Sequence, residues 1–166
     1  KNFNRFIEAF SLLAQKDSKL YLICTGNKFS QGEEDKLSKL HIKNKTLQIN
    51  ASDKELSELY TRASLFVFPS LYEGFGIPIL EAYACHCPIA ISNTSCFPEI
   101  AGDAAIYFDP YSVKDIANTI EAIIYNPQKA NELIQKGIKR LELYSWEKTV
   151  VETEETYKKA IQGYNF

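Results

Sequence analysis

No apolar run in this 166-residue sequence is long enough to cross a bilayer as a helix, which excludes a helical membrane anchor within it. Neither sign of charge dominates. Lys and Arg number 19 against 21 Asp and Glu, a net charge of −2, so there is no broad basic field to neutralise a nucleic acid backbone. A diphosphate would have to be held by a few local groups. Cysteine is scarce: Cys24, Cys85, Cys87 and Cys96 have neither the spacing of a secreted disulfide framework nor a second cluster to complete a zinc site. They read as reduced thiols of a cytosolic protein. Lys1-Asn2 runs straight into an amphipathic pattern, so no leader is expected. Repeats and low-complexity tracts are missing too. What remains, 45% hydrophobic and 24% charged residues, is the profile of one globular domain over residues 1–166.

Periodicity supplies the elements. Phe3, Phe6, Ile7, Phe10, Leu13 and Ala14 recur at helical spacing. Residues 19–25 form a short apolar run closed by Gly26-Asn27, the pattern of a buried parallel strand ending in a turn. Leu37, Leu40 and Ile42 suggest a weaker helix, and residues 47–49 a strand. Ser52 offers an N-cap to a helix carrying Leu56, Leu59, Tyr60 and Ala63 on one face. Leu65-Phe66-Val67-Phe68 is the clearest buried strand, and Pro78 is expected to open the next helix. Strands follow at 89–91 and 105–108, then helices at about 112–125, 127–142 and 146–160. Alternating strands and helices predict an α/β fold, a parallel sheet with helices on both faces. Such sheets usually begin on a strand, so a further strand is expected upstream of Lys1.

The chemistry concentrates in residues 66–81, where a buried strand runs through a glycine-bearing turn into a helix. Open α/β sheets bind ligands outside the carboxyl ends of their strands. Gly74 and Gly76 allow backbone N–H groups to approach an anion, and a helix opening near Pro78 adds unpaired donors and the positive end of its dipole. Glu73 and Glu81 flank this mouth. Ionised carboxylates only accept hydrogen bonds, so they suit sugar and ribose diols on either side of a diphosphate. Acidic residues at a helix N-terminus are also ordinary dipole partners, and spacing alone leaves both readings open.

Residues 68–81, Phe-Pro-Ser-Leu-Tyr-Glu-Gly-Phe-Gly-Ile-Pro-Ile-Leu-Glu, resemble the E-x7-E signature of the retaining GT-B glycosyltransferases called glycosyl transferases group 1, or glycosyltransferase family four. The likeness extends to Lys1-Asn2 with Phe6 to Phe10, to Asp53–Ala63, to Pro98–Ala105 with Asp109-Pro110, and to Ser145-Trp146. It implies a Rossmann-like domain, one half of a GT-B fold, that holds a nucleotide-diphosphate sugar of the GDP-mannose or UDP-glucose type. The leaning is towards mannosyltransferases of polysaccharide or lipopolysaccharide synthesis. Transfer would proceed with retention and commonly without a metal, so no cofactor is expected.

By the same resemblance, Glu73 would accept hydroxyls of the transferred hexose and Glu81 those of the ribose. Gly74, Phe75, Gly76 and Ile77 would offer backbone contacts to sugar and diphosphate, and Gly26 would lie beside the nucleotide. Lys1 would neutralise the leaving diphosphate, its partner arginine lying upstream. A glycan or lipid-linked acceptor would be bound by an N-terminal domain outside these residues, and the isolated domain would be inactive. The longer protein would be cytoplasmic, with room for peripheral association at the inner face of a membrane. His86 stands where the family usually has glycine and reads as a strained structural variation, not a base or metal ligand. Residues 44–52 lack the family's usual Gly-aromatic pair. Tyr107 and Phe108 read as a core strand and its edge in preference to a sugar-stacking face. The alternatives are a non-catalytic sugar-nucleotide-binding module and a GT-B nucleotide-sugar epimerase.

Overall fold

The computed structural model describes residues 1–163. Helix α1 (Phe3–Lys16) buries Phe6, Ile7, Phe10 and Leu13, the residues its period selects, and follows Asn2 in the left-handed conformation at φ 60°. Strand β1 (Leu22–Thr25) leads to α2 (Gln31–Lys39), β2 (Thr46–Ile49), α3 (Asp53–Arg62) and β3 (Phe66–Phe68). Then come α4 (Ile77–Ala84), β4 (Ile89–Ser92), the short α5 (Phe97–Ala101) and β5 (Ile106–Phe108). Helices α6 (Val113–Ile124), α7 (Pro127–Leu141) and α8 (Trp146–Ile161) close the described chain. Ser52 caps α3 reciprocally with Glu55, and Ser30 does the same for α2 with Glu33.

All strand pairs are parallel, but they form two sheets: β1 with β2, and β3-β4-β5. The single sheet expected from the alternation is therefore divided. Strand β4 is buried at every residue and centres the larger sheet, with Ile89 and Ile91 facing one layer and Ala90 the other. One layer is built from Tyr60 of α3, Tyr83 of α4 and Phe97 and Ile100 of α5. The opposite layer holds Phe6 and Leu13 of α1, Ile116, Ile120 and Ile123 of α6, and Leu133 of α7. Helices thus cover both faces of this sheet. The smaller sheet is covered on one face only: Ile23 and Leu47, neighbours in register, are 44% and 51% exposed. Leu22 of β1 and Val67 of β3 nevertheless pack against the same α1 cluster.

Two local expectations shift. Helix α2 ends at Lys39, leaving Leu40 as its cap and Ile42 buried in the turn beyond. Helix α4 begins at Ile77, so Pro78 is its second residue and Glu81 its fifth. His86 has φ 56°, the left-handed strain that its replacement of glycine implied. Phe108 is fully buried, while Tyr107 donates its hydroxyl to Gly102 O, so both serve the core.

Candidate active site

Parallel strands bring their carboxyl ends to one edge, and there the β3–α4 loop, the β4–α5 turn and the residues before α1 converge. The amide of Asn2 donates to Pro110 O at 2.7 Å, and Arg5 donates to the Asn2 Oδ1 while lying over the Tyr111 ring. Asparagine is the residue after glycine best suited to φ 60°. This fixed bend turns Lys1 over the loop, where its Nζ sits 2.5 Å from Glu73 Oε1.

Glu73 is held from several directions. The buried Ser70 donates its hydroxyl to Glu73 Oε1 at 2.8 Å. Ser95 Oγ donates to Glu73 O at 2.8 Å and accepts from Glu73 N at 3.4 Å. Cys96 Sγ lies 3.3 Å from Glu73 O and 3.1 Å from Phe75 O as a donor. The Lys1 ammonium, with help from Ser70, holds the Glu73 carboxyl below the ordinary glutamate range although partial burial opposes this.

Beyond Glu73 the chain offers free donors. Among the described residues, nothing accepts a hydrogen bond from the backbone N–H of Gly74, Phe75, Gly76 or Ile77. Four consecutive amides at a helix N-terminus form a place for an anion. Gly74 is open to solvent. Gly76 is buried at φ 99°, and a Cβ there would lie 3.1 Å from Ile79 Cδ1 and 3.4 Å from Phe97, so only glycine closes the turn without strain. Phe75 packs edge-on against Tyr144.

The sequence-predicted residues fall into three groups. Lys1 and Glu73 touch, and Gly74 to Ile77 are contiguous with them. Glu81, exposed on α4, accepts from the Tyr60 hydroxyl at 3.4 Å and so faces α3. Gly26 closes β1 at φ 120° with its own N–H bound to Ile49 O. Sequence reasoning gave no role to Ser70, although it lies inside the 68–81 signature, or to Ser95 and Cys96, which carry no motif; nor did it give one to Asn2, whose place directly before an amphipathic helix was the available signal. No group of three or more metal-ligating side chains occurs among the described residues.

The profile of the family described as glycosyl transferases group 1 matches residues 1–140. The O-antigen chain mannosyltransferase B of Escherichia coli is 38% identical over 106 residues, covering 64% of this chain and 28% of that protein. The serotype-specific mannosyltransferase WbdA of Escherichia coli is 29% identical over 169 residues, covering 98% of this chain and 21% of that protein. The chain therefore spans about a quarter of the curated relatives it matches. Among solved structures, the C-terminal domain of the glycosyl transferase group 1 family protein LpcC of Francisella tularensis superposes with a TM-score of 0.75 at 24% identity. That superposition covers 86% of this chain and 78% of that one.

Proposed function

The chain belongs to the glycosyl transferases group 1 family, and from that premise we propose that it is the donor-holding part of a retaining hexosyltransferase. Its architecture matches the Rossmann-like C-terminal domains of GT-B glycosyltransferases. The observation that carries the reading is the pairing of one positioned carboxylate, Glu73, with the run of free amides from Gly74 to Ile77. A nucleotide-diphosphate sugar has the complementary groups: hydroxyls for Glu73, phosphate oxygens for the amides, and ribose hydroxyls for Glu81. Gly26, at the carboxyl end of β1 in the smaller sheet, is assigned to the nucleotide in this reading.

In this reading the bond from the anomeric carbon to the diphosphate breaks, and negative charge grows on the departing phosphate. The amides and Lys1 stabilise that charge where it develops. Lys1 exchanges the Glu73 carboxylate for phosphate, a move its exposed, four-carbon stem permits. The acceptor hydroxyl attacks the same face, forms the new glycosidic bond and gives its proton to the leaving phosphate. No protein nucleophile, metal or other cofactor is required. The acceptor, a glycan or lipid-linked glycan, is bound by sequence beyond residues 1–166, in an enzyme of the cytoplasm that works at the inner face of a membrane. Similarity to proteins named mannosyltransferases supports a mannosyl donor of the GDP-mannose type for this chain. The four free thiols suit a reducing compartment.

The decisive experiment uses the full-length enzyme and its Glu73→Gln variant. Transfer should fall by about 10²–10³-fold with thermal stability retained; undiminished turnover removes Glu73 from the chemistry. Donor choice follows from a thermal-shift comparison of GDP-mannose and UDP-glucose, because a ligand at a hundred times its Kd stabilises by about 2.7 kcal/mol. Equal shifts would dismiss selectivity for mannose.

A further inference from the structure

The β4–α5 turn holds two side chains that the donor-binding reading does not use, and both reach the carbonyls of the β3–α4 loop. Ser95 engages both backbone groups of Glu73, and Cys96 sits between Glu73 O and Phe75 O. A trans peptide is planar, with its C=O and the following N–H pointing to opposite sides. Tying Glu73 O to the α5 side therefore turns the N–H of Gly74 the other way, and tying Phe75 O does the same for the N–H of Gly76. These are two of the four amides that donate to no group among the described residues.

The turn is built to hold this arrangement. Ser95 has φ 55°, a left-handed conformation that serine rarely adopts and that must be imposed by its surroundings. Helix α5 behind it is pinned from the far side: Arg140 donates to Glu99 O and Ile100 O, and the Tyr144 hydroxyl donates to Ile100 O at 3.2 Å. Tyr144 also supports Phe75. One base thus carries both the turn and the loop it grips.

We propose that Ser95 and Cys96 are positioning residues that aim the Gly74 and Gly76 amides, and the Glu73 backbone with them, toward the donor; this rests on the donor-site reading above. Neither side chain touches the reacting atoms. Their effect passes through the peptide planes they hold, and misplacement of such donors by a fraction of an ångström is costly in rate.

The test uses the full-length enzyme with Ser95→Gly, Cys96→Ala and Cys96→Ser. Glycine is at ease at φ 55°, so Ser95→Gly removes the hydroxyl without new strain, and Cys96→Ser keeps a donor. Three readouts are taken: kcat and donor KM, calorimetric binding of GDP and UDP, and amide hydrogen exchange over residues 70–77. Ser95→Gly and Cys96→Ala should lower kcat by about tenfold or more, weaken nucleoside diphosphate binding by about fivefold, and speed exchange in the loop, consistent with loss of one or two hydrogen bonds. Cys96→Ser should stay near wild type. Wild-type kcat and binding in both Ser95→Gly and Cys96→Ala overturn the proposal, whether or not the loop loosens. A wild-type enzyme that neither transfers hexose nor binds GDP or UDP sinks the donor-site reading instead, and unchanged loop exchange in the variants then overturns the clamp separately.

Discussion

At Glu73, titration and geometry are the same question. Its carboxyl is held below the ordinary glutamate range first by the Lys1 hydrogen bond, against burial, with Ser70 assisting. A carboxyl whose folded pKa is depressed stabilises the fold above its unfolded pKa, and that contribution disappears as pH falls through the folded value. The acid limb of kcat/KM, which reports the free enzyme with Lys1 still on Glu73, should therefore lie below the ordinary glutamate range. Lys1→Ala removes the largest downward influence, so the Glu73 pKa should rise and the acid limb should move to higher pH. NMR titration of the Glu73 carboxyl carbon checks this directly; an unmoved midpoint would mean that Lys1 does not set the charge of the site. Two of the thiols behave in the opposite sense. Burial pushes the Cys24 and Cys87 thiols up to about 12, which leaves them as inert packing groups at neutral pH.

Among the elements, the strands and the amphipathic helices were the most legible parts. Phe66 to Phe68 and Ile89 to Ile91 announced buried strands, and Ser52 with Glu55 announced a helix start, because those signals are local. The division into two sheets was not legible, since nothing in the period of Leu22–Thr25 or Phe66–Phe68 says which strand lies alongside. The grip of Ser95 on Glu73 spans 22 residues of sequence and was equally hidden. Helix α7 gives a further case where local reasoning has the wrong sign. Gly137 sits inside it, and alanine there would ordinarily strengthen a helix by about 1 kcal/mol. Here α7 packs on α4, and a Cβ would stand 2.9 Å from Tyr83 Cε1, closer still to Cδ1. Tyr83 is fully buried and cannot retreat. Overpacking of this kind costs about 1–3 kcal/mol, so Gly137→Ala should lower the urea midpoint. A raised midpoint would show that α4 and α7 separate more readily than their packing suggests.

For the whole molecule, the uneven distribution of buried surface matters most. Three clusters link α1 to α7 with the strands, whereas α8 buries no residue. Its large apolar side chains, Trp146, Val150, Val151, Tyr157 and Ile161, are 53–87% exposed. Ending the chain at Tyr144 should therefore shift the melting temperature of residues 1–144 by less than about 3 °C relative to residues 1–166, the equivalent of about 1 kcal/mol. A larger fall in a calorimetric scan would assign α8 a structural role within this domain.

Among the described residues strand β1 has a partner on one side only, and the face it shares with β2 carries the uncovered apolar pair Ile23 and Leu47. An unzipped strand of this kind is a template for any extended backbone that meets it. Concentrated solutions of the 166-residue chain should accordingly drift toward higher-order assemblies joined strand to strand. Dilution, or a lysine placed at Ile23, would keep it monomeric.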